Sequence, residues 1–219
     1  MTNALAADLD HILDHTRDLW EQVRGKRVFV TGGTGFFGCW LLESFCWAND
    51  HLDLNASVTV LTRNPQIFTR KAPHLAAHPA IRLYVGDVRS FDFPSGEFSY
   101  IVHAATEANA QLNRENPLLM LDTIVKGTRH TLEFARRCGT PKFLLTSSGA
   151  VYGKQPPDLT HIPEDYVGAP DPLDPRSAYG VRQQLPSGIQ AIDATRPHFA
   201  GVHFCYSGSA SPRPIPADA

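Results

Sequence analysis

A glycine-rich turn between an apolar run and a helical pattern constrains the fold of this chain more than any other feature. The run Arg27-Val-Phe-Val-Thr31 is of the kind that a buried parallel strand needs. The turn Thr31-Gly-Gly-Thr-Gly-Phe-Phe-Gly38 follows at once. Beyond it, apolar side chains recur at helical spacing and are predicted to face inward: Leu41, Leu42, Phe45 and Cys46. A strand, a glycine turn and a helix in this order are typical of a phosphate-binding turn.

The glycines of this turn have separate predicted roles. We expect Gly32 to allow the tight turn, Gly35 to let the backbone approach a pyrophosphate, and Gly38 to allow close contact between helix and strand. Phe36 and Phe37 of the same turn are predicted cofactor contacts. The N-terminus of the helix that follows offers free N–H groups and a positive dipole end to phosphates. The alternative is a turn that only connects a strand to a helix.

Further strand patterns alternate with helical ones along the first 150 residues. After Arg27–Thr31 they occur at Ser57–Leu61, Ile81–Val85, Tyr100–Ala104 and Lys142–Thr146. The longest helix is predicted to open at Asn116-Pro117 and to stop at Gly139. Its predicted inward face consists of Leu118, Leu121, Val125, Thr128, Leu132 and Ala135. Alternating strands and helices predict an α/β fold with a doubly wound parallel sheet.

The chain divides into three segments by pattern and composition. Residues 1–25 predict an amphipathic helix that packs on the domain or on a second copy; its apolar stripe is Leu5, Leu9, Ile12, Leu13, Leu19, Trp20 and Val23. Residues 26–180 predict a dinucleotide-binding domain. Residues 181–219 show no sustained period, and 11 of the 17 prolines lie in residues 156–219. We therefore predict an irregular segment from residue 181.

Charge and cysteine content exclude several classes of protein. The chain has 20 Lys plus Arg against 22 Asp plus Glu, so it lacks the basic excess that a nucleic acid partner requires. Four cysteines without metal-ligand spacing predict reduced thiols and no metal site. Acidic residues near the N-terminus, such as Asp8 and Asp10, do not fit a secretory leader, and no apolar run approaches ~20 residues. We expect a soluble cytoplasmic protein.

The Gly-x-x-Gly-x-x-Gly spacing resembles that of the extended short-chain dehydrogenase/reductase family, the NAD(P)-dependent nucleotide-sugar epimerases and dehydratases. Four further stretches agree in order: Gly86-Asp87-Val88-Arg89, His103-Ala-Ala-Thr106, Thr146-Ser-Ser-Gly-Ala-Val-Tyr-Gly153 and Ser177-Ala-Tyr-Gly180. The resemblance covers about residues 25–180. It implies a Rossmann-like fold, NAD or NADP as cofactor and a nucleoside-diphosphate sugar as substrate, in a chain whose C-terminal substrate lobe is missing. It also implies pairing through the tyrosine helix, so a homodimer is a candidate assembly.

The resemblance assigns cofactor contacts outside the glycine turn. Asp87 and Val88 correspond to adenine contacts, and Ala104 and Ala105 to the small residues beneath the cofactor. From the residues alone, Asp87 could equally be a turn residue, and His103 a hydrogen-bonded core histidine.

The residues after the second strand bear on the choice between NAD and NADP. That strand ends in Thr62-Arg63-Asn64, where no acid is present to hold the ribose hydroxyls of NAD. Arg63 suits a 2′-phosphate and favours NADP. The alternative is a solvated surface arginine.

The resemblance also assigns the residues of the reaction. Ser148 corresponds to the hydroxyl that holds the substrate oxygen, and Tyr179 to the phenolate base. Without the resemblance, Ser148 could cap a turn and Tyr179 could fill a loop-to-helix junction. Gly149 and Ala150 occupy the positions where dehydratases carry Asp-Glu and decarboxylases keep the Glu. Neither can move a proton, so an epimerase is the main interpretation, with a nucleotide-sugar dehydratase or a UDP-glucuronate decarboxylase as alternatives.

Two departures from the family pattern affect the predicted activity. Gln183 stands where the family has the lysine of Tyr-x-x-x-Lys, and glutamine cannot lower the pKa of a phenol from ~10. Ile124 replaces an Asn of the family's long helix. We expect a catalytically impaired chain, and a non-catalytic dinucleotide-binding module is the alternative of another class.

The pattern after Gly180 suggests why the lysine is missing. The resemblance stops within a residue or two, and Pro186 and Gly188 would break the tyrosine helix. An abrupt loss of period with many Ala, Pro, Ser, Gly and Arg is typical of a GC-rich gene read out of frame. We therefore hypothesise that residues 181–219 do not belong to the family's reading frame.

This hypothesis predicts that another frame of the coding DNA after the Gly180 codon encodes a lysine four residues after Tyr179. A protein made in that frame should convert nucleotide sugars, and the present chain should not. The measurements are translation of the DNA in three frames and an assay of both proteins. The absence of such a lysine in every frame, or equal activity of the two proteins, would contradict the hypothesis.

Overall fold

The described residues contain one parallel sheet of six strands. The structure is a computed structural model and describes residues 3–105, 117–163, 166–173, 180, 184 and 200–206. The strands are β1 Arg27–Thr31, β2 Ser57–Thr62, β3 Ile81–Val85, β4 Tyr100–His103, β5 Lys142–Ser148 and β6 Ala200–Tyr206. Their order is β3-β2-β1-β4-β5-β6, and each neighbouring pair is parallel. Successive strands are thus added on one side of β1 up to β3 and on its other side from β4 onward. The boundary between β1 and β4 is therefore the topological switch point of the sheet.

The predicted strands and the predicted class of fold are confirmed. All five strands expected before residue 150 are present, and each of these five begins at the predicted residue. β1 lies in the middle of the sheet with its apolar side chains buried on both faces, which is why its sequence is a continuous apolar run.

Five α-helices whose bounds lie within the described residues accompany the strands. They are α1 Ala6–Trp20, α2 Phe36–His51, α3 Pro65–Lys71, α4 Pro73–Ala77 and α5 Pro117–Arg137. Short 3₁₀ helices cover Glu21–Val23 and Gly149–Tyr152. The start of α3 follows from its sequence, because the Asn64 side chain accepts a hydrogen bond from the Ile67 N–H and Pro65 occupies the first helical position. None of these helices is both long enough and apolar enough to cross a membrane.

Two apolar cores lie on opposite faces of the sheet. One joins β1 and β2 to α2, α3 and α4, and its members include Val30, Val60, Leu42, Phe45 and Phe68. The other is rich in phenylalanine and joins the sheet to α5; it includes Phe29, Phe91, Phe98, Phe134 and Phe143. Phe29 of β1 is fully buried there, with its ring 4.8 Å from that of Phe134. Both faces of the central strands are thus covered by helices or loops.

The N-terminal helix packs on the domain, which is one of the two alternatives predicted for it. Leu9 and Leu13 are buried, and the Trp47 indole N–H of α2 donates to Asp10 of α1 at 3.0 Å. Leu19, predicted on the same stripe, is instead 61% exposed. The buried apolar face of α1 is therefore narrower than its sequence pattern indicated.

Two other predicted inward faces need correction. Leu41 of α2 is 44% exposed, although Leu42, Phe45 and Cys46 are buried as predicted. In α5, Leu118 is 72% exposed, whereas Thr128, Leu132 and Ala135 of the predicted face are buried as predicted. The helix also buries a neighbouring stripe outside that face: Met120, Thr123, Ile124, Thr131 and Phe134. Both stripes satisfy the helical period, so the period alone does not show that α5 buries both of them.

The sixth strand was missed by the sequence analysis. Residues 200–206 lie within the segment predicted to be irregular, but they pair in parallel with β5 from Lys142 opposite Ala200 to Ser148 opposite Tyr206. The prediction is therefore wrong for these seven residues. Pairing with an open strand edge uses backbone groups, so a strand can form there without a regular side-chain pattern. The remaining predictions for 181–219 concern residues that the structure does not describe, apart from Gln184.

We predict that Gly38→Ala destabilises the fold although alanine is the better helix former. A Cβ at Gly38 would lie 2.3 Å from Gly32 O and 2.4 Å from two Gly33 backbone atoms, so α2 would have to move. We expect a loss of about 2–3 kcal/mol in the free energy of unfolding, measured in urea, instead of the gain of ~1 kcal/mol that helix propensity predicts.

Gly35→Ala is the matched control, since its nearest contact would be 3.2 Å from Gly32 O and it should change the free energy of unfolding less. A stabilised Gly38→Ala variant would contradict the proposed close packing.

Candidate functional site

A cleft of about 550 Å³ opens at the carboxyl ends of β1, β2, β3 and β4. This is the sheet edge next to the switch point, where doubly wound proteins place their ligands. The volume lies within the ~300–1,000 Å³ range of small-molecule and cofactor sites. The loop after β1 forms one wall, and the residues that follow β2, β3 and β4 supply the rest.

The glycine turn directs the N-terminus of α2 toward this cleft. Gly32, Thr34 and Gly35 line it, and the Gly35 N–H donates to Gly32 O at 3.0 Å. Gly35 is the N-cap of α2 in an extended conformation. It has no side chain to separate a ligand from the first N–H groups of the helix, which have no partners within a helix. The turn therefore has the features of an anion-binding turn.

Position 32 requires glycine for a different reason than position 35 does. Its φ is +75°, and a Cβ there would lie 2.4 Å from Ala104 C and O and 2.7 Å from Ala105 N. The turn thus rests directly on the backbone that follows β4. This contact brings the two loops together as opposite parts of one cleft.

Most of the predicted cofactor residues come together in this cleft. Its lining contains seven of them: Gly32, Gly35, Arg63, Asp87, Val88, Ala104 and Ala105. Gly38 is buried behind the turn, and Phe36 and Phe37 form an edge-to-face pair at the start of α2, with ring centroids 5.5 Å apart. These three residues lie outside the lining. Phe36 and Phe37 remain predicted contacts through their backbone N–H groups.

Asp87 is both a turn residue and a cleft residue. Its carboxylate accepts hydrogen bonds from the Arg89 backbone N–H at 2.9 Å and from the Arg89 side chain at 2.8 Å on each oxygen. These bonds, together with the charge of Arg63, lower the pKa of Asp87 to about 2. Arg89 therefore holds the negative charge of Asp87 in place and balances it.

His103 is a core histidine. It is buried, and its Nδ1 lies 2.7 Å from Thr31 Oγ1 while its Nε2 lies 3.0 Å from Thr128 Oγ1. The Thr128 hydroxyl donates to Ile124 O at 2.7 Å, so we assign the proton of His103 to Nε2 and an acceptor role to Nδ1. The Thr31 oxygen also accepts the Ala105 N–H at 3.2 Å. His103 thus supports the loop that forms the floor of the cleft.

The cleft also contains residues that the sequence analysis missed. The lining includes Thr34, Asn64 and Thr123, together with Lys71 at the end of α3. The Lys71 ammonium donates to Thr34 O at 2.9 Å, across 37 positions of sequence. A lysine at the end of a short helix gives no sequence signal of such a contact.

Ser148 lies at the same sheet edge but outside the cleft lining. It is the last residue of β5, and its Oγ accepts the Ala150 N–H at 3.3 Å, so it caps the 3₁₀ helix Gly149–Tyr152. Tyr179 lies outside the described residues. Its neighbour Gly180 is packed so closely on this helix that a Cβ there would lie 2.3 Å from Ala150 O. Gln184 also contacts it, because its side-chain amide donates to Val151 O at 2.9 Å.

Fold and cleft together define a doubly wound α/β protein of the Rossmann type. Residues 28–206 match the model of the NAD-dependent epimerase/dehydratase family, and the chain belongs to that family. The match extends beyond Gly180, where we predicted that the resemblance ends.

Two relatives of this chain are proteins longer than the chain itself. UDP-glucuronic acid decarboxylase 1 of Danio rerio is 32% identical over 157 residues, which are 70% of this chain and 34% of that protein. UDP-glucuronic acid decarboxylase 6 of Arabidopsis thaliana is 33% identical over 175 residues, or 78% of this chain and 47% of that protein. The chain therefore spans between a third and a half of these relatives.

The fold is shared with solved structures of similar proteins. A UDP-glucuronic acid 4-epimerase from Bacillus cereus, solved with UDP-glucuronic acid and NAD, has a TM-score of 0.65 at 18% identity. The similarity covers 81% of this chain and 55% of that one.

We predict that the free energy of unfolding depends on pH through His103, the histidine that supports the cleft floor. Burial lowers the pKa of His103 from 6.5 to about 4. Between these two pH values His103 is protonated in the unfolded chain and neutral in the folded chain, so a lower pH favours unfolding. Stability should be full above about pH 6.5 and fall by up to about 3 kcal/mol as the pH drops to about 4.

The measurement is urea unfolding at several pH values for the native chain and for His103→Gln, which cannot titrate. The variant should lose less stability over this interval. Parallel losses in both proteins would show that His103 is not the group responsible. The carboxylate of Asp87 loses its contribution only as the pH falls toward about 2, outside this interval.

Proposed function

We propose that the cleft binds a nicotinamide dinucleotide, with the pyrophosphate at the N-terminus of α2. The observation that carries this proposal is the position of Gly35, which caps α2 without a side chain and lines the cleft. Ala104 and Ala105 offer a floor of small residues, and Val88 an apolar contact. Arg63 favours NADP over NAD, since no acid follows β2.

The family and the cleft support a nucleoside-diphosphate sugar as the substrate of the whole protein. Relatives are named for UDP-glucuronic acid, and the Bacillus cereus neighbour was solved with that compound and NAD. A dinucleotide bound in the cleft would supply a reversible acceptor for the hydride of a sugar C–H bond. We propose an epimerase-like oxidation and reduction of such a sugar. A cytoplasmic location and a homodimer stay predictions.

The residues at the end of β5 support this reaction type. The Ser148 oxygen accepts from Ala150 N, and its hydroxyl proton can still be donated to a substrate oxygen. Gly149 and Ala150 follow in the 3₁₀ helix and can neither give nor take a proton. Although the relatives are named decarboxylases, these two residues favour epimerisation over dehydration or decarboxylation.

Tyr179 is the proposed base. The residues that follow it in the sequence also support a second candidate function. Gly180 packs against Ala150, so the chain next to Tyr179 lies beside the helix that Ser148 caps. Gln183, however, replaces the lysine that would lower the phenol pKa from ~10. A chain that binds the dinucleotide without turnover is therefore the alternative.

We predict that Gly35→Asp abolishes dinucleotide binding while the protein stays folded. Aspartate is a favourable N-cap, so α2 should remain intact. Its carboxylate would face the pyrophosphate, and repulsion between like charges should weaken the affinity on the order of 100-fold or more. Isothermal titration with NAD⁺ and NADP⁺ measures the change.

Gly35→Ser is the matched control, because serine is an equally good N-cap of similar size without charge. It should retain far more affinity than Gly35→Asp. Unchanged affinity in Gly35→Asp would overturn the assignment of the pyrophosphate to this turn.

A further inference from the structure

Lys71 brings a positive charge into the cleft from an element outside the glycine turn. It is the last residue of α3, and its ammonium bonds the carbonyl of Thr34, between Gly33 and Gly35. Arg63 and Asn64, which follow β2, line the same part of the cleft. Two basic side chains, one before α3 and one at its end, therefore lie in the cleft together with Thr34.

Asp87 is the one carboxylate of the described cleft lining, and it interacts with more than one cation. Both of its oxygens accept hydrogen bonds from the Arg89 side chain, and the charge of Arg63 also lowers its pKa. Cys39, close to Lys71, is held as a neutral thiol because burial raises its pKa. Glu43, one turn further along α2, contacts His74 Nε2 and is not part of the cleft lining. The described lining therefore contains two cationic side chains, Arg63 and Lys71, against one carboxylate, and so carries a net positive charge.

We propose that Lys71 and Arg63 together form a recognition site for the 2′-phosphate of NADP. This proposal rests on the proposed binding of a dinucleotide. A phosphomonoester carries a charge near −2 at pH 7 and three acceptor oxygens. An ammonium carries three N–H donors, and that of Lys71 bonds Thr34 O and interacts with the Cys39 thiol, which leaves a donor for a phosphate oxygen. A guanidinium presents a planar fork of donors. NAD has no phosphate at this position, so its binding should not depend on a charge contact with Lys71.

The contact with Thr34 gives Lys71 a defined place in the cleft. A flexible lysine loses side-chain entropy when it binds an anion, and the bond to Thr34 O has already restricted it. The same bond allows another reading, in which Lys71 only supports the glycine turn. The two readings differ in their effect on NAD, which uses the turn but has no 2′-phosphate.

The test compares Lys71→Met with Arg70→Met. Methionine keeps most of the length and the apolar stem of lysine but carries no charge. Arg70 is the preceding residue of the same helix, is exposed and is not part of the cleft lining, so it controls for the loss of one positive charge from α3. Thermal unfolding checks that both variants remain folded.

Two pairs of ligands isolate the 2′-phosphate in titration calorimetry: NADP⁺ with NAD⁺, and adenosine 2′,5′-bisphosphate with adenosine 5′-monophosphate. The native chain should prefer the 2′-phosphorylated member of each pair. Lys71→Met should weaken that member's binding on the order of tenfold or more and leave its partner unchanged. Arg70→Met should preserve the preference. Added salt should weaken NADP⁺ binding more than NAD⁺ binding.

Three outcomes would overturn the proposal. If Lys71→Met weakens both members of a pair equally, Lys71 only supports the turn. If it changes neither, Lys71 does not contact the ligand. If NAD⁺ binds but the native chain shows no preference for 2′-phosphate, the proposed dinucleotide site survives and the 2′-phosphate site does not. Failure of the native chain to bind either dinucleotide would remove both proposals.

Discussion

The contact between Gly32 and the backbone after β4 is the constraint on which the site depends. At φ +75°, with Ala104 where a Cβ would stand, the turn after β1 and the loop after β4 meet without a side chain between them. The Ala104 N–H donates to Thr31 O at 3.1 Å, and the Ala105 N–H donates to the Thr31 hydroxyl oxygen. His103 holds that hydroxyl from the other side. Any larger residue at position 32 would force the two loops apart and open the floor of the cleft.

Different groups determine the charge of the cleft and the shape of its floor. Its positive character comes from the N-terminus of α2 and from the side chains of Arg63 and Lys71, whereas its floor is made of small residues such as Ala104 and Ala105. Ser148 lies two strands away from β1, at the end of β5, where the chemistry of the family's reaction is proposed. The proposed dinucleotide site and the proposed chemistry thus lie at different strands of one sheet edge. The residues of the proposed dinucleotide site lie within the described part of a chain that spans a third to a half of two named relatives.

Some elements of this fold are recorded in local sequence patterns and others are not, for physical reasons. The central strands are buried on both faces, so their apolar runs are unambiguous, and five strands were predicted at the right starting residues. The inward face of α5 was predicted only in part: Thr128, Leu132 and Ala135 are buried as predicted, but the helix also buries a neighbouring stripe that satisfies the same period. Phe134 of that stripe packs on Phe29 of the central strand, a contact that the period does not reveal. β6 was missed because its pairing with β5 depends on backbone groups at an open edge, which leave no side-chain signature.

The sequence by itself determined the glycine turn, the five strands before residue 150 and the absence of an acid after β2. These are local properties, since each depends on residue types within a few positions of one another. Only the tertiary structure decided that His103 is a neutral support of the cleft floor, that Arg89 balances Asp87, and that Lys71 reaches Thr34. Such contacts join residues that can be far apart in the chain, as the 37 positions between Lys71 and Thr34 show. They exist only because the parallel sheet brings the ends of its strands to one edge, and no local pattern records that proximity.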